Sequence, residues 1–240
     1  MNAEEYRAHV RSDDFDVSCP HNGAVFYSNH RFDGGHLNRN SADDLGLTRL
    51  EQTDGGRWLQ AQKTYESLET LDGQPTLWTR PDADSVWSEA STKFARSVSG
   101  NVTTRVIGAE PDTLFRSKEL PALLENQKVT SINGVSREEL KALYDRDKEA
   151  AFNRVCLGEL ERSREQVSAS NDTNARDDLE RREHVYKEQL AYQAETRAKL
   201  REGGEKPMAS EKTHGQGRLD AMRAARNRDT SKAKDAEPEK

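Results

Sequence analysis

The 240-residue chain predicts an α/β fold, a small parallel sheet with flanking helices, followed by a charged helical extension and a disordered tail. Short β-capable runs alternate with stretches of helical period, the order expected when crossovers return each strand parallel to the last. All three Trp (Trp58, Trp78, Trp87) and five of the six Phe precede Val135, so the core belongs to the first half. Hydrophobic residues make up 32% and charged residues 33%, too polar a mixture for one core along the whole length. Residues 1–134 carry 14 Lys/Arg against 20 Asp/Glu, which is the whole formal net charge of −6. The remainder balances at high charge density. The expected segments are 1–22 (N-terminal), 23–134 (α/β domain), 135–202 (charged helical extension) and 203–240 (disordered tail).

In order, Met1 to Asp16 is polar apart from Tyr6, Val10 and Phe15, and can form a short helix or fray. Cys19 to Gly23 reads as a turn into a first strand, Ala24-Val25-Phe26-Tyr27-Ser28-Asn29. In the interior of a parallel sheet, that strand's carboxyl end would open into the ligand crevice of such folds. Residues 29–40 read as a loop, and Ser41 to Gly46 as one capped helical turn. Leu47 to Thr53 alternates apolar and polar residues and predicts a second strand, closed by a turn at Asp54-Gly55-Gly56-Arg57. A helix is expected from Trp58 to about Leu68, then a turn at Asp72 to Pro75, with Leu77-Trp78 a short strand or simply packing. From Ala83 to Val98 the set Ala83, Val86, Trp87, Ala90, Phe94, Ala95 and Val98 keeps i, i+3, i+4 spacing before Gly100, a helix with its stop. Val102 to Gly108 is a strand, and Asp112 to Asn126 a helix that Pro121 divides. Val129 to Gly134 is a last strand, and Ser136 to Glu139 resembles a capping box opening a helix to about Arg164. Asp177 to Arg201 is helical with a thin stripe of Leu179, Tyr186, Leu190 and Leu200; a further short helix is expected at Leu219 to Asn227.

Composition narrows the function classes. Cys19 and Cys156 do not make a disulfide framework. No apolar run reaches the ~18 residues that cross a bilayer, and Met1 to Ser12 lacks a signal peptide's form, which predicts a cytoplasmic protein or one delivered to another cell without a cleavable signal. From Lys206 onward nine basic residues face six acidic ones, a solvated tail rather than a nucleic-acid surface. Cys19, His21, His30 and His36 do not match structural zinc spacing, so no metal is expected.

Candidate chemistry gathers after the first two strands. Tyr27, Ser28 and Asn29 offer hydroxyls and an amide where a parallel sheet meets a nucleotide or sugar. Gly55, Gly56 and Arg57 could form a backbone nest with an arginine for a phosphate, although a plain turn fits them better and no Walker or G-x-G-x-x-G spacing is present. Glu51, at the end of the expected second strand, and Glu89, on the Trp87 helix, are the carboxylates placed to oppose charge on a ribosyl transition state. A solvent-facing role is the base expectation for Glu89.

The runs Val25 to Ser28, Thr48 to Leu59, Trp87 to Ser91 with Phe94-Ala95, and Gly100-Asn101-Val102 resemble bacterial toxin and effector proteins. The layout is similar to the Rossmann-like (flavodoxin-like) group that includes nucleoside deoxyribosyltransferases and TIR-type NAD-cleaving domains. Over Gly23 to Gly134 the resemblance implies an NAD or nucleotide ligand, bound as substrate with no separate cofactor. It also implies a catalytic Glu on a helix at the sheet's carboxyl edge, a role that falls to Glu89, with Trp87 beside the ligand. The enzyme expected is one that cleaves or transfers at the N-glycosidic bond of NAD or a nucleotide. Its rival is a non-enzymatic α/β head in a mobile-element system, with residues 137–201 binding a partner or dimerising.

Overall fold

The computed structural model describes residues 2–28, 38, 42–62, 79–170 and 172–202. Among these residues seven α-helices accompany a four-stranded, mostly parallel sheet. Helix α1 (Ala3–Arg11) forms because Asn2 and Glu5 cap it reciprocally, and it buries Tyr6 and Val10. Strand β1 (Val25–Tyr27) pairs parallel with β2 (Gly100–Arg105), Val25 opposite Thr103 and Tyr27 opposite Arg105. Parallel pairing continues to β3 (Val129–Ile132), and β4 (Val135–Ser136) closes the sheet antiparallel.

The strand order is β1-β2-β3-β4. This corrects the placement of β1 in the sheet interior: among the described strands it is the marginal one, flanked beyond by one parallel bridge, Ala24 to Thr48. The described strands run in sequence order without the reversal that marks a doubly wound sheet. A hairpin also replaces the expected end at Gly134. Asn133 and Gly134 turn with φ of 50° and 81°, and the Asn133 side chain steadies the turn by accepting from Thr104 N (2.8 Å) and donating to Thr104 Oγ1 (2.7 Å).

The alternating run Leu47 to Thr53 does not become a strand either. After the bridge at Thr48 it winds into a 3₁₀ turn, Leu50–Gln52, and Thr53 caps α2 (Asp54–Ala61). The two glycines explain the switch. A Cβ on Gly56 would lie 1.8 Å from the Leu50 carbonyl oxygen, and one on Gly55 2.9 Å from that of Asp16, so α2 starts jammed against both.

Helix α3 (Arg80–Ser97) has Thr79 as its cap and Pro81 in its first turn, and its expected apolar face is buried at Ala83, Val86, Ala90, Phe94 and Ala95. The segment holding Pro121 divides as expected, into one π-helical turn (Phe115–Glu119) and α4 (Leu120–Glu125). The expected single helix after Ser136 is two, α5 (Arg137–Arg146) and α6 (Lys148–Ala169), with Asp147 ending one and capping the other. Helix α7 (Thr173–Glu202) follows.

Residues Met1–Leu190 make one compact unit. Helices α6 and α7 belong to its core: Phe152, Val155, Cys156 and Leu160 are buried, as are Val185 and Tyr186. Of the thin stripe on α7, Tyr186 is buried, Leu179 is half-buried against the core and Leu190 is exposed. The second unit is Ala191–Lys240. Its described part, residues 191–202, is helical, with a Lys199–Glu195 ion pair at 2.7 Å. No helix among the described residues is long and apolar enough to cross a membrane. Leu77-Trp78, expected as a short strand or simply packing, residues 63–68 of the helix expected from Trp58, the histidines His30 and His36, and the tail with its Leu219 to Asn227 helix lie outside the described residues.

Candidate functional site

A cleft of about 470 Å³, a size suited to a small molecule, opens at the carboxyl end of β1. Its walls come from four separate pieces of chain. Strand β1 and the residue after it contribute Tyr27 and Ser28; the 3₁₀ turn and the residue before it contribute Arg49 and Glu51. Helix α3 presents Asp84, Trp87 and Ser91, which share one face at i, i+3 and i+7. The π-helical turn adds Phe115 and Glu119. A π turn widens the helix by one residue, and such turns recur at functional sites because they turn a side chain out of the regular row. Here the displaced row delivers a carboxylate into the cleft wall.

Glu119 is the unusual group. It is buried, and removal from water pushes its carboxyl pKa up to about 8. A hydrogen bond with Ser91 opposes that rise, and the negative charge of Glu51 adds to it. Glu51 is itself fixed, because the Tyr27 hydroxyl donates to its Oε1. The Arg49 guanidinium lies 5.5 Å from the centre of the Tyr27 ring, and its Nη2 pairs with Asp43 at 2.5 Å. Among the described residues its Nε and Nη1 have no hydrogen-bond partner. The cleft thus combines three carboxylates, one arginine, and the aromatic rings of Tyr27, Trp87 and Phe115.

The structure brings Tyr27, Ser28, Glu51 and Trp87 of the sequence candidates together on this cleft. It places the others elsewhere. Glu89 stands two residues past Trp87, roughly 200° around the helix. It makes a two-pronged ion pair with Arg11 of α1 (2.6 and 2.9 Å) and lines a separate surface groove. The Gly55 N–H donates to Asp16 O (2.7 Å) and the Gly56 N–H to Thr53 Oγ1 (3.0 Å), so neither amide is open to a phosphate. Arg57 is exposed and bonded to Gln52 O and Asp54. Asn29 lies outside the described residues. Sequence reasoning missed Arg49, Asp84, Ser91, Phe115 and Glu119. The traceable signals were the i, i+4 spacing of Trp87 with Ser91 and of Phe115 with Glu119, the latter just ahead of the helix-breaking Pro121. No cluster of His, Cys, Asp and Glu able to hold a metal occurs among the described residues.

No family model matches the chain, and no curated protein sequence matches it. Among solved structures it is similar to an ADP-ribosyl cyclase complexed with N1-cIDPR, at 20% identity and a TM-score of 0.34, over 57% of this chain and 68% of that one. An Aplysia cyclase complexed with substrate NGD and product cGDPR gives 20% identity and a TM-score of 0.33, over 57% and 67%. Neither neighbour is a nucleoside deoxyribosyltransferase or a TIR-type domain, the groups named by the sequence resemblance.

Proposed function

We propose that the cleft cleaves, or transfers at, the N-glycosidic bond of NAD or a related nucleotide, with Glu119 opposing the charge that develops on the ribosyl carbon. The observation that carries this reading is a desolvated carboxylate set in an aromatic, acid-rich wall. A ligand that suits such a wall bears a cationic ring. When the bond from the ribosyl carbon to the ring nitrogen breaks, the electron pair leaves with the nitrogen and the pyridinium departs neutral, so no acid is needed to protonate it. Positive charge then moves to the ribosyl carbon and its ring oxygen, where an ionised Glu119 stabilises it at low dielectric. Water adds to that carbon and its proton passes to Glu51, held in place by Tyr27.

In this reading Trp87 and Tyr27 flank the ring and Ser28 meets a ligand hydroxyl. Loss of NAD is harmful to a cell, which suits an effector or toxin acting in a cytoplasm. Incubating the pure protein with NAD and following nicotinamide release by chromatography tests the proposal. Turnover is expected to fall about 10³-fold in Glu119→Gln, the scale lost with one electrostatic group of a transition state. Absence of turnover on NAD and on nucleosides overturns it.

A further inference from the structure

Where α6 and α7 meet the chain just beyond β2 lies a run of buried polar groups that the proposed chemistry does not use. Glu159 and Arg182 are both fully buried, and Arg182 Nη1 donates to Glu159 Oε1 at 2.6 Å. The other oxygen of Glu159 accepts from the Val106 N–H just beyond β2 (2.8 Å). Arg182 Nη1 also donates to Asn38 Oδ1 (3.1 Å), and Asn38 Nδ2 donates to two carbonyls, Ser28 O (2.6 Å) and Ile107 O (3.1 Å). Asn38 is 1% exposed. The route therefore runs without a break from two C-terminal helices to the backbone of Ser28, a residue that lines the cleft.

An ion pair taken fully out of water contributes little stability over apolar side chains of the same size, and such pairs are best explained where they fix one geometry among several. Here the geometry at issue is that of β1. Among the described strands it is the marginal one, three residues long, with one bridge on its outer side, so its own ladder holds its tip weakly. Among the described residues, two bonds hold the Ser28 backbone beyond Tyr27: its N–H donates to Arg105 O (3.1 Å), and its carbonyl accepts from Asn38.

We propose that Asn38, oriented by the Glu159–Arg182 pair, is a positioning residue that fixes the Ser28 edge of the cleft, so that the charged C-terminal helices set the geometry of the binding site. The identity of the ligand used to probe this rests on the NAD reading above; the positioning itself does not. In Asn38→Asp, the carboxylate still accepts from Arg182 but can no longer donate to Ser28. In Asn38→Ala, both bonds are lost.

Hydrogen exchange on the full chain reads the Ser28 amide against the Thr103 amide, which donates to Ala24 O at the opposite end of the same β1–β2 pair. In both variants Ser28 is expected to exchange at least about tenfold faster while Thr103 keeps its rate, the mark of local rather than global opening. KM for NAD is expected to rise about tenfold with kcat changed less than about threefold, since the ligand loses its wall and Glu119 stays in place. A Ser28 rate that is unchanged, or that rises in step with Thr103, overturns the relay. If either variant fails to fold, Arg182→Lys replaces the forked guanidinium with a single ammonium. Ser28 is then compared with Thr103 in the same way, faster exchange at Ser28 alone supporting the relay and any other pattern overturning it. A wild-type protein that does not bind NAD refutes the functional reading alone, because the exchange comparison still decides the relay.

Discussion

Replacing Glu119 by Gln separates the cost of holding that carboxyl from its use. The unfolded carboxyl ionises near 4.5 and the folded one near 8. Between those values the folded state binds more protons than the unfolded one, so stability falls as pH rises through the window and loses nothing further above it. The gap corresponds to about 5 kcal/mol. The Gln side chain has nearly the same shape and no charge. At pH 5 the variant and the wild type are therefore expected to agree within about 1 kcal/mol. At pH 9 the variant is expected to be the more stable by several kcal/mol, while nicotinamide release is lost. Urea unfolding midpoints at pH 5, 7 and 9 measure the difference. Two parallel stability curves would show that Glu119 is not desolvated in the folded protein, and the proposed electrostatic role would go with it.

Other outcomes follow from the same geometry. In the proposed reading the ionised form of Glu119 is the active one, so kcat/KM for NAD should climb with pH, pass half its plateau near 8 and level off above it. Glu89→Gln removes a half-exposed pair with Arg11, so it should alter stability by no more than about 1 kcal/mol and leave NAD turnover within about threefold of wild type. Gly56→Ala forces a Cβ to within 1.8 Å of the Leu50 carbonyl oxygen. A loss of more than about 4 kcal/mol is expected in denaturant titrations, with damage reaching Glu51 in the next turn.

Local patterns announced α3 well, because the period of Ala83 to Val98 is the period of the face it buries. The division of the chain at Pro121 was legible for a similarly local reason, the missing N–H and the ring of proline. Leu47 to Thr53 misled because alternation alone does not supply a pairing partner, and the glycine pair that follows lets a helix begin one turn early. Glu119 was invisible for a different reason. In a chain that is one-third charged, an i, i+4 spacing from Phe115 is too common a pattern to mark the carboxylate that a π turn and α3 remove from water. Arg182 and Glu159 hid in the same way: both sit in runs that read as solvated helix, yet each is fully buried because the partner stands 23 residues away on the next helix. Tyr27, Ser28, Glu51 and Trp87 were within reach because strand ends and aromatic helix faces carry positional meaning. Their company was not.

The order in which a ribosome makes the parts has a consequence for the buried charge network. Ser28 emerges early and Arg182 late, and at typical rates of synthesis roughly 8–30 s separate them. For the last 23 of those residues, about 1–5 s, Glu159 exists without Arg182, its ion-pair partner, so the nascent chain carries an acid that is costly to bury ionised. Fixing of the Ser28 edge is thereby timed to the arrival of α7, and in the proposed reading a translating polypeptide holds its ligand loosely until Arg182 has been made.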